Sequence, residues 1–171
     1  MKKIFALVII LLLIGCSSSP TNTTSMKLTS TAFTDQASLP AQYTCDGEDV
    51  SPPLAWSDVP EKTQSFVLIV DDPDTAHGTW NHWLLYDIPA DVRKIDEHRS
   101  AGIEGTTSMK TVGYHGACPP NGVHRYFFKL FALDTLLHIL PAANKVQIEK
   151  AMEGHIMGQA ELMGKYQRSG K

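Results

Sequence analysis

Apolar positions fall into four runs of different character. The first, Ile4 to Ile14, is uninterrupted. It is shorter than the about 20 apolar residues a membrane-spanning helix needs. The second, Phe66 to Val70, is apolar on both parities and ends in Asp71-Asp72-Pro73, as a strand buried on both faces does. The third runs from Trp80 to Ile88 and is closed by Pro89, and the fourth, His124 to Leu133, is aromatic and closed by Asp134. The last three runs predict the centre of a sheet. Prolines at 52, 53, 60, 73, 89, 119 and 120 divide the rest into loops.

The last segment reads differently. Asn144 is placed to cap a helix, with Gln147 three residues on in a capping-box relation. Val146, Ile148, Met152, Ile156, Ala160 and Met163 fall on one side at helical spacing. Gly154, Gly158 and Gly164 interrupt that pattern. The pattern predicts one mainly β domain with one or two helices late in the chain.

The N-terminus stands apart from this domain. Lys2 and Lys3 precede the first apolar run, which ends in Leu13-Ile14-Gly15-Cys16. A charged start, a short apolar stretch and a small residue before a cysteine read as a lipoprotein signal peptide over residues 1–15, with Cys16 acylated. More than one acyl chain is what makes such anchoring stable. Ser17 to Ser25 has no apolar residue and reads as part of a tether over residues 16–25. The folded domain then spans 26–171, the usual size of one domain. Ser17 after the cysteine, by analogy with sorted lipoproteins, points to the periplasmic face of an outer membrane where the cell has one.

Charge narrows the partners. The whole chain has a formal charge of −3, and loss of Lys2 and Lys3 makes it two units more negative. Such a chain has no electrostatic reason to bind nucleic acid. With Cys16 assigned to the anchor, Cys45 and Cys118 remain. In an oxidising compartment an even pair reads as a disulfide closing a loop of roughly 70 residues, nominally about 4 kcal/mol. Two free thiols or one reactive thiol are the alternatives.

Polar residues sit oddly on the strands. Asp72 shares parity with Phe66, Leu68 and Val70; His82 shares parity with Trp80, Leu84 and Tyr86; His124 shares parity with Tyr126 and Phe128. Burying such groups is costly unless they pair or face a cleft. The loop from Tyr114 to Gly122 is rich in glycine and proline and leads directly into His124. Such a loop lets backbone approach a ligand closely.

These segments resemble the signatures of a known family. Asp72-Pro73-Asp74 with Trp80-Asn81-His82-Trp83, and Pro119-Pro120-Asn121-Gly122-Val123-His124-Arg125-Tyr126, are similar to the two signature regions of the phosphatidylethanolamine-binding proteins, which include the Raf kinase inhibitor proteins. Cys45 to Pro53, and Gly154-His155-Ile156 with Ala160-Glu161-Leu162, resemble the bacterial branch. The resemblance implies a large central β-sheet, a smaller sheet packed on it and peripheral C-terminal helices. It implies a pocket for phosphate, acetate or a phospholipid headgroup, lined by Asp72, His82, Pro119, His124 and Tyr126, without a cofactor or a bound metal. Arg125 is expected to pair with an acid such as Asp74, holding the signature loops together. Thr75-Ala76 departs from the usual Asp-Pro-Asp-Ala-Pro, and Cys118 stands where many members have glycine.

The expected activity is therefore binding, not catalysis. A metal held by Asp72, His82 and His124, or a thiol nucleophile at Cys118, would make the chain a hydrolase. The chain has no HExxH-like spacing and no GxSxG elbow. A third reading is inhibition of a protease or another envelope protein through the surface.

Overall fold

The three apolar runs become adjacent strands. A computed structural model describes residues 24–168; the signal peptide, Cys16 and most of the expected tether lie outside them. In chain order the elements are Thr24–Ser25 (β1), Lys27–Thr29 (β2), Leu54–Ser57 (β3), Ser65–Asp72 (β4), Trp80–Pro89 (β5), Lys94–Ile95 (β6), Ile103–Glu104 (β7), His124–Leu133 (β8), the helix Lys145–Met152 (α1) and Ile156–Tyr166 (β9). The large sheet has the order β1-β9-β8-β4-β5-β7, and the small sheet β2-β3-β6. Neighbours are antiparallel except β1 and β9. Thr24–Ser25, which the sequence reads as the end of a tether, thus belongs to the large sheet.

Strand β4 is buried along its whole length because both its faces are covered. Phe66, Leu68 and Val70 join Leu28, Trp56, Trp83, Leu85, Phe128 and Leu130 between the sheets. Val67 and Ile69 pack on the other face with Leu84, Tyr86, Ile148 and Met152, under α1. Burying each such side chain contributes about 1.5–3 kcal/mol. The helix begins as expected: the Asn144 side chain accepts from Gln147 N–H at 3.1 Å, and Gln147 Oε1 accepts from Asn144 N–H at 3.0 Å. Among the described residues, no helix is long and apolar enough to cross a membrane.

The late helical stripe is corrected. The helix stops at Met152, and Ile156–Tyr166 is a strand paired with β8 along its length. One α-helix, α1, is present among the described residues, besides a 3-10 turn at Ala41–Tyr43. Val146, placed on the apolar stripe by sequence, is 73 % exposed. On β9 the inward positions are Gly158, Ala160, Leu162 and Gly164, a period of two. Gly164 does not break a helix there. It leaves room for Leu39, whose Cδ2 would lie 2.5 Å from an added Cβ.

Two irregularities shape β5. Its pairing with β4 shifts between Phe66/Leu68 and between Val70/Asp71. At the second shift Asn81 pairs with Asp71 and Trp83 with Val70, which leaves His82 as the extra residue of a β-bulge. Parity therefore does not carry across His82. Leu84 and Tyr86, which alternation would place beside it, point to the opposite core.

Candidate functional site

The site forms where β4 ends and β5 and β8 begin, at one end of the large sheet. Asp72 closes β4, and the bulge turns His82 toward the Trp80 and Trp83 face. His124 opens β8. They border a cavity of about 540 Å³ together with the 75–77 turn, Trp80, Met109, the 115–120 segment, Cys45 and Asp49. Most of this wall is apolar; its polar groups are few and placed. Asp72 is 2 %, His82 6 % and His124 7 % exposed, so each must find partners inside the protein.

Each one does. His124 Nδ1 donates to Asp72 Oδ2 at 2.7 Å, a buried pair. The other Asp72 oxygen accepts from the Asp74 N–H at 2.8 Å. Asp74 in turn holds Arg125 by a fork: Oδ1 accepts from Nη2 at 2.6 Å and Oδ2 from Nε at 2.9 Å, with the Arg125 backbone N–H adding a third bond. The Arg125 guanidinium holds the Asp74 carboxyl at about 2, well below the usual carboxylate range. The signature loops are joined as the resemblance implied.

His82 is anchored differently. Its Nδ1 lies 2.7 Å from the carbonyl oxygen of His115, and Tyr126 packs edge-on against its ring at 5.2 Å between centroids. Burial pushes its proton affinity down; the His115 carbonyl and then the Asp72 charge oppose this less strongly. Neither His82 Nε2 nor His124 Nε2 has a hydrogen-bond partner or is sealed from solvent among the described residues, so both open on the cavity.

Pro119 lies on the cavity wall, as expected. Tyr126 does not; it stands behind His82, buried, with its hydroxyl unpartnered among the described residues. Burial, and next the Asp72 carboxylate, raise its phenol pKa. Cys45 and Cys118 form a disulfide with Cα atoms 5.4 Å apart, and both line the cavity. A thiol nucleophile at Cys118 is thereby excluded in the bonded form. Among the described residues, no three His, Cys, Asp or Glu side chains converge as a metal set.

Sequence reading missed Asp49, His115 and Met109 as wall residues. Asp49 Oδ1 accepts from Gly116 N–H at 2.5 Å. Gly116 is required at that point, because a Cβ would lie 2.7 Å from both Thr44 Cα and the Tyr43 carbonyl oxygen. The signals were available: Asp49 lies inside the Cys45–Pro53 motif, and His115-Gly116 inside the glycine-rich loop.

Comparison with known proteins agrees with the fold. Residues 29–167 match the family described as phosphatidylethanolamine-binding protein. A UPF0098 protein of Methanothermobacter thermautotrophicus is 45 % identical over 150 residues, covering 84 % of this chain and 99 % of the relative. The crystal structure of a phosphatidylethanolamine-binding protein homolog from Chlamydia trachomatis superposes with TM-score 0.82 at 39 % identity, covering 86 % of this chain and all of that one. Escherichia coli YbcL, described as a new member of the mammalian PEBP family, superposes with TM-score 0.76 at 28 % identity, covering 84 % and 99 %.

Proposed function

Since the chain belongs to the phosphatidylethanolamine-binding protein family, we propose that it is a lipid-anchored, extracytoplasmic member of the bacterial Raf kinase inhibitor-like branch. Its cavity takes a small anion or a phospholipid headgroup. The protein binds rather than catalyses, and it has no cofactor. Through that ligand, or through the surface around it, it modulates a protein partner in the cell envelope.

The observation that carries the reading is the pair of imidazoles at one cavity. His82 and His124 each spend Nδ1 on the protein and turn Nε2 outward. A protonated imidazole there donates a charge-assisted hydrogen bond to an oxyanion. The buried Asp72 carboxylate balances that charge at His124. The apolar wall, with Trp80 and Met109 at 37 % and 54 % exposure, suits the carbon part of a headgroup or a hydrophobic partner residue. The anchor rests on Gly15-Cys16 after the apolar run.

Calorimetric titration of the purified protein with phosphate and phosphorylethanolamine tests the pocket. Saturable binding that His124→Ala abolishes is expected; absence of binding in the native protein would sink the anion reading. Mass spectrometry of the N-terminal peptide tests the anchor, with a diacylglyceryl group on Cys16 as the expected result.

A further inference from the structure

Leu136, Leu140 and Val146 are 42 %, 83 % and 73 % exposed, and Leu140 is the most exposed large apolar side chain among the described residues. The segment that carries Leu136 and Leu140 is nevertheless pinned to the sheet. Ser65 Oγ, at the head of β4, donates to the Thr135 carbonyl at 2.5 Å, and Leu137 N–H donates to Asp87 Oδ1 at 2.7 Å. Tyr86 O–H donates to the Leu140 carbonyl at 2.7 Å, and Thr106 Oγ1 donates to the Ala142 carbonyl at 2.6 Å. His138 and Ala142, on either side of Leu140, have φ of 51° and 61°. Residues other than glycine hold that conformation where the surrounding structure imposes it. The backbone is thus tied inward while the Leu140 side chain stands in water. Clustered apolar side chains displayed on a tied backbone mark a contact surface.

The place of this segment says what it meets. It leaves β8 just past Leu133, next to Ala132; Ala132 pairs with Gly158, and Gly158 with Thr24. The chain from Cys16 therefore joins the sheet two strand spacings away, about 10 Å. The eight residue steps from Cys16 to Thr24 reach at most about 28 Å. Leu136 stands at this end of the sheet, beside the head of β4. The segment then turns onto the face that carries α1, where Leu140 borders a groove with Ile139, Ala143, Ala151, His138 and Lys150. Val146 lies one helical turn before Lys150. We infer that this face is a second, noncovalent foothold on the bilayer that carries Cys16. Leu136, Leu140 and Val146 enter the boundary between headgroups and acyl chains, and Lys150 keeps its ammonium among the headgroups. The inference rests on the lipid anchor proposed above and adds a defined face to it. Glu149 and Glu153 are exposed nearby, so apolar burial rather than net charge drives the contact. Burying one such side chain shifts a partition by about tenfold or more. Attachment through Cys16 makes the contact intramolecular, so a few side chains suffice.

The test uses the protein purified from membranes and reconstituted into vesicles of phosphatidylethanolamine and phosphatidylglycerol. With Cys16 acylated and Cys45 bonded to Cys118, a substituted cysteine supplies the free thiol. An environment-sensitive fluorophore is attached at Leu136→Cys and at Leu140→Cys, and for reference at Val123→Cys, which adjoins His124 at the other end of β8. Thermal melts verify that the variants fold. The expected result is a blue shift, with loss of emission to nitroxide-labelled lipid, at Leu136→Cys and Leu140→Cys, at a depth of about 5–10 Å. The fluorophore at Val123→Cys is expected to emit as in water. Water-like emission at Leu136→Cys and Leu140→Cys, in protein whose Cys16 mass spectrometry shows to be acylated, overturns the inference and leaves the anchor reading intact. Emission shielded from aqueous iodide but untouched by the lipid nitroxide overturns it too and assigns the face to a protein partner. Cys16 without an acyl group overturns both.

Discussion

His124 Nδ1 lies 2.7 Å from Asp72 Oδ2, and the two side chains are buried where β4 ends and β8 begins. The carboxylate fixes the tautomer and aim of the imidazole, as a carboxylate does for any functional histidine. Asp72→Asn keeps the shape and an acceptor but removes the charge that balances a protonated His124. Phosphate affinity at pH 7 is expected to fall by about tenfold, the scale of one charge-assisted bond. Calorimetry checks this, and an unchanged affinity would place the anion elsewhere.

The Asp74–Arg125 fork predicts a defined acid sensitivity. Asp74 titrates at about 2 in the folded protein against 3.8 for a free carboxyl. A depressed carboxyl stabilises the fold above its unfolded pKa, and the contribution disappears as pH falls from about 4 through about 2. Urea midpoints of the native protein should exceed those of Asp74→Asn at pH 5–7 and converge with them near pH 2. Parallel curves across that range would show that the fork adds nothing to stability.

Asp71 points to the opposite face from Asp72 and does different work. It is 1 % exposed and accepts from Asn81 Nδ2 at 2.7 Å, Lys145 Nζ at 2.8 Å and Lys129 Nζ at 3.2 Å. It joins β4 to β5, β8 and α1. Asp71→Ala takes the carboxylate from both Lys129 and Lys145, of which Lys145 keeps Glu149 at 3.6 Å, and should cost about 3 kcal/mol, lowering the thermal midpoint by about 6–12 °C. Calorimetric melting distinguishes this from the small shift expected on the exposed surface.

Reduction of the Cys45–Cys118 bond, which spans 73 residues, should lower stability by up to about 4 kcal/mol in the chain-entropy model. Ligand affinity should change far less. The same two loops are also tied by Gly116 N–H to Asp49, by Tyr114 O–H to the Tyr43 carbonyl at 2.8 Å, and by Cys45 N–H to the Ala117 carbonyl at 3.2 Å. Denaturant midpoints and phosphate titrations with and without reductant separate the two effects. A collapse of affinity on reduction would show that the bond itself shapes the rim.

The sheet centre was legible because Phe66–Val70, Trp80–Ile88 and His124–Leu133 carry long apolar runs bounded by Pro or Asp. The strand β9 was not. Met152, Ile156 and Ala160 are four apart, a spacing shared by a helix face and by alternate strand positions. Only Gly158, Leu162 and Gly164 reveal the period of two, and glycine hides it by having no side chain to count. His82 was singled out by a parity that holds on one side only: it shares the cavity face with Trp80, two residues before, but the bulge sends Leu84 and Tyr86 to the opposite core. Asp49 was missed because it comes from a loop with no periodic pattern, and its position is set by a long-range bond to Gly116.

The route by which the chain enters the sheet gives the molecule a polarity. Thr24 pairs with Gly158, which lies opposite Ala132, whereas His124 lies opposite Tyr166. Eight residue steps along β8 separate those rows, about 26 Å at about 3.3 Å per residue. The eight steps from Cys16 to Thr24 reach at most about 28 Å. A protein held at Cys16 is therefore gripped at one pole and open at the other. Were Cys16 the anchor proposed above, the cavity would lie at the end of the sheet away from the attachment, toward the aqueous space rather than the leaflet.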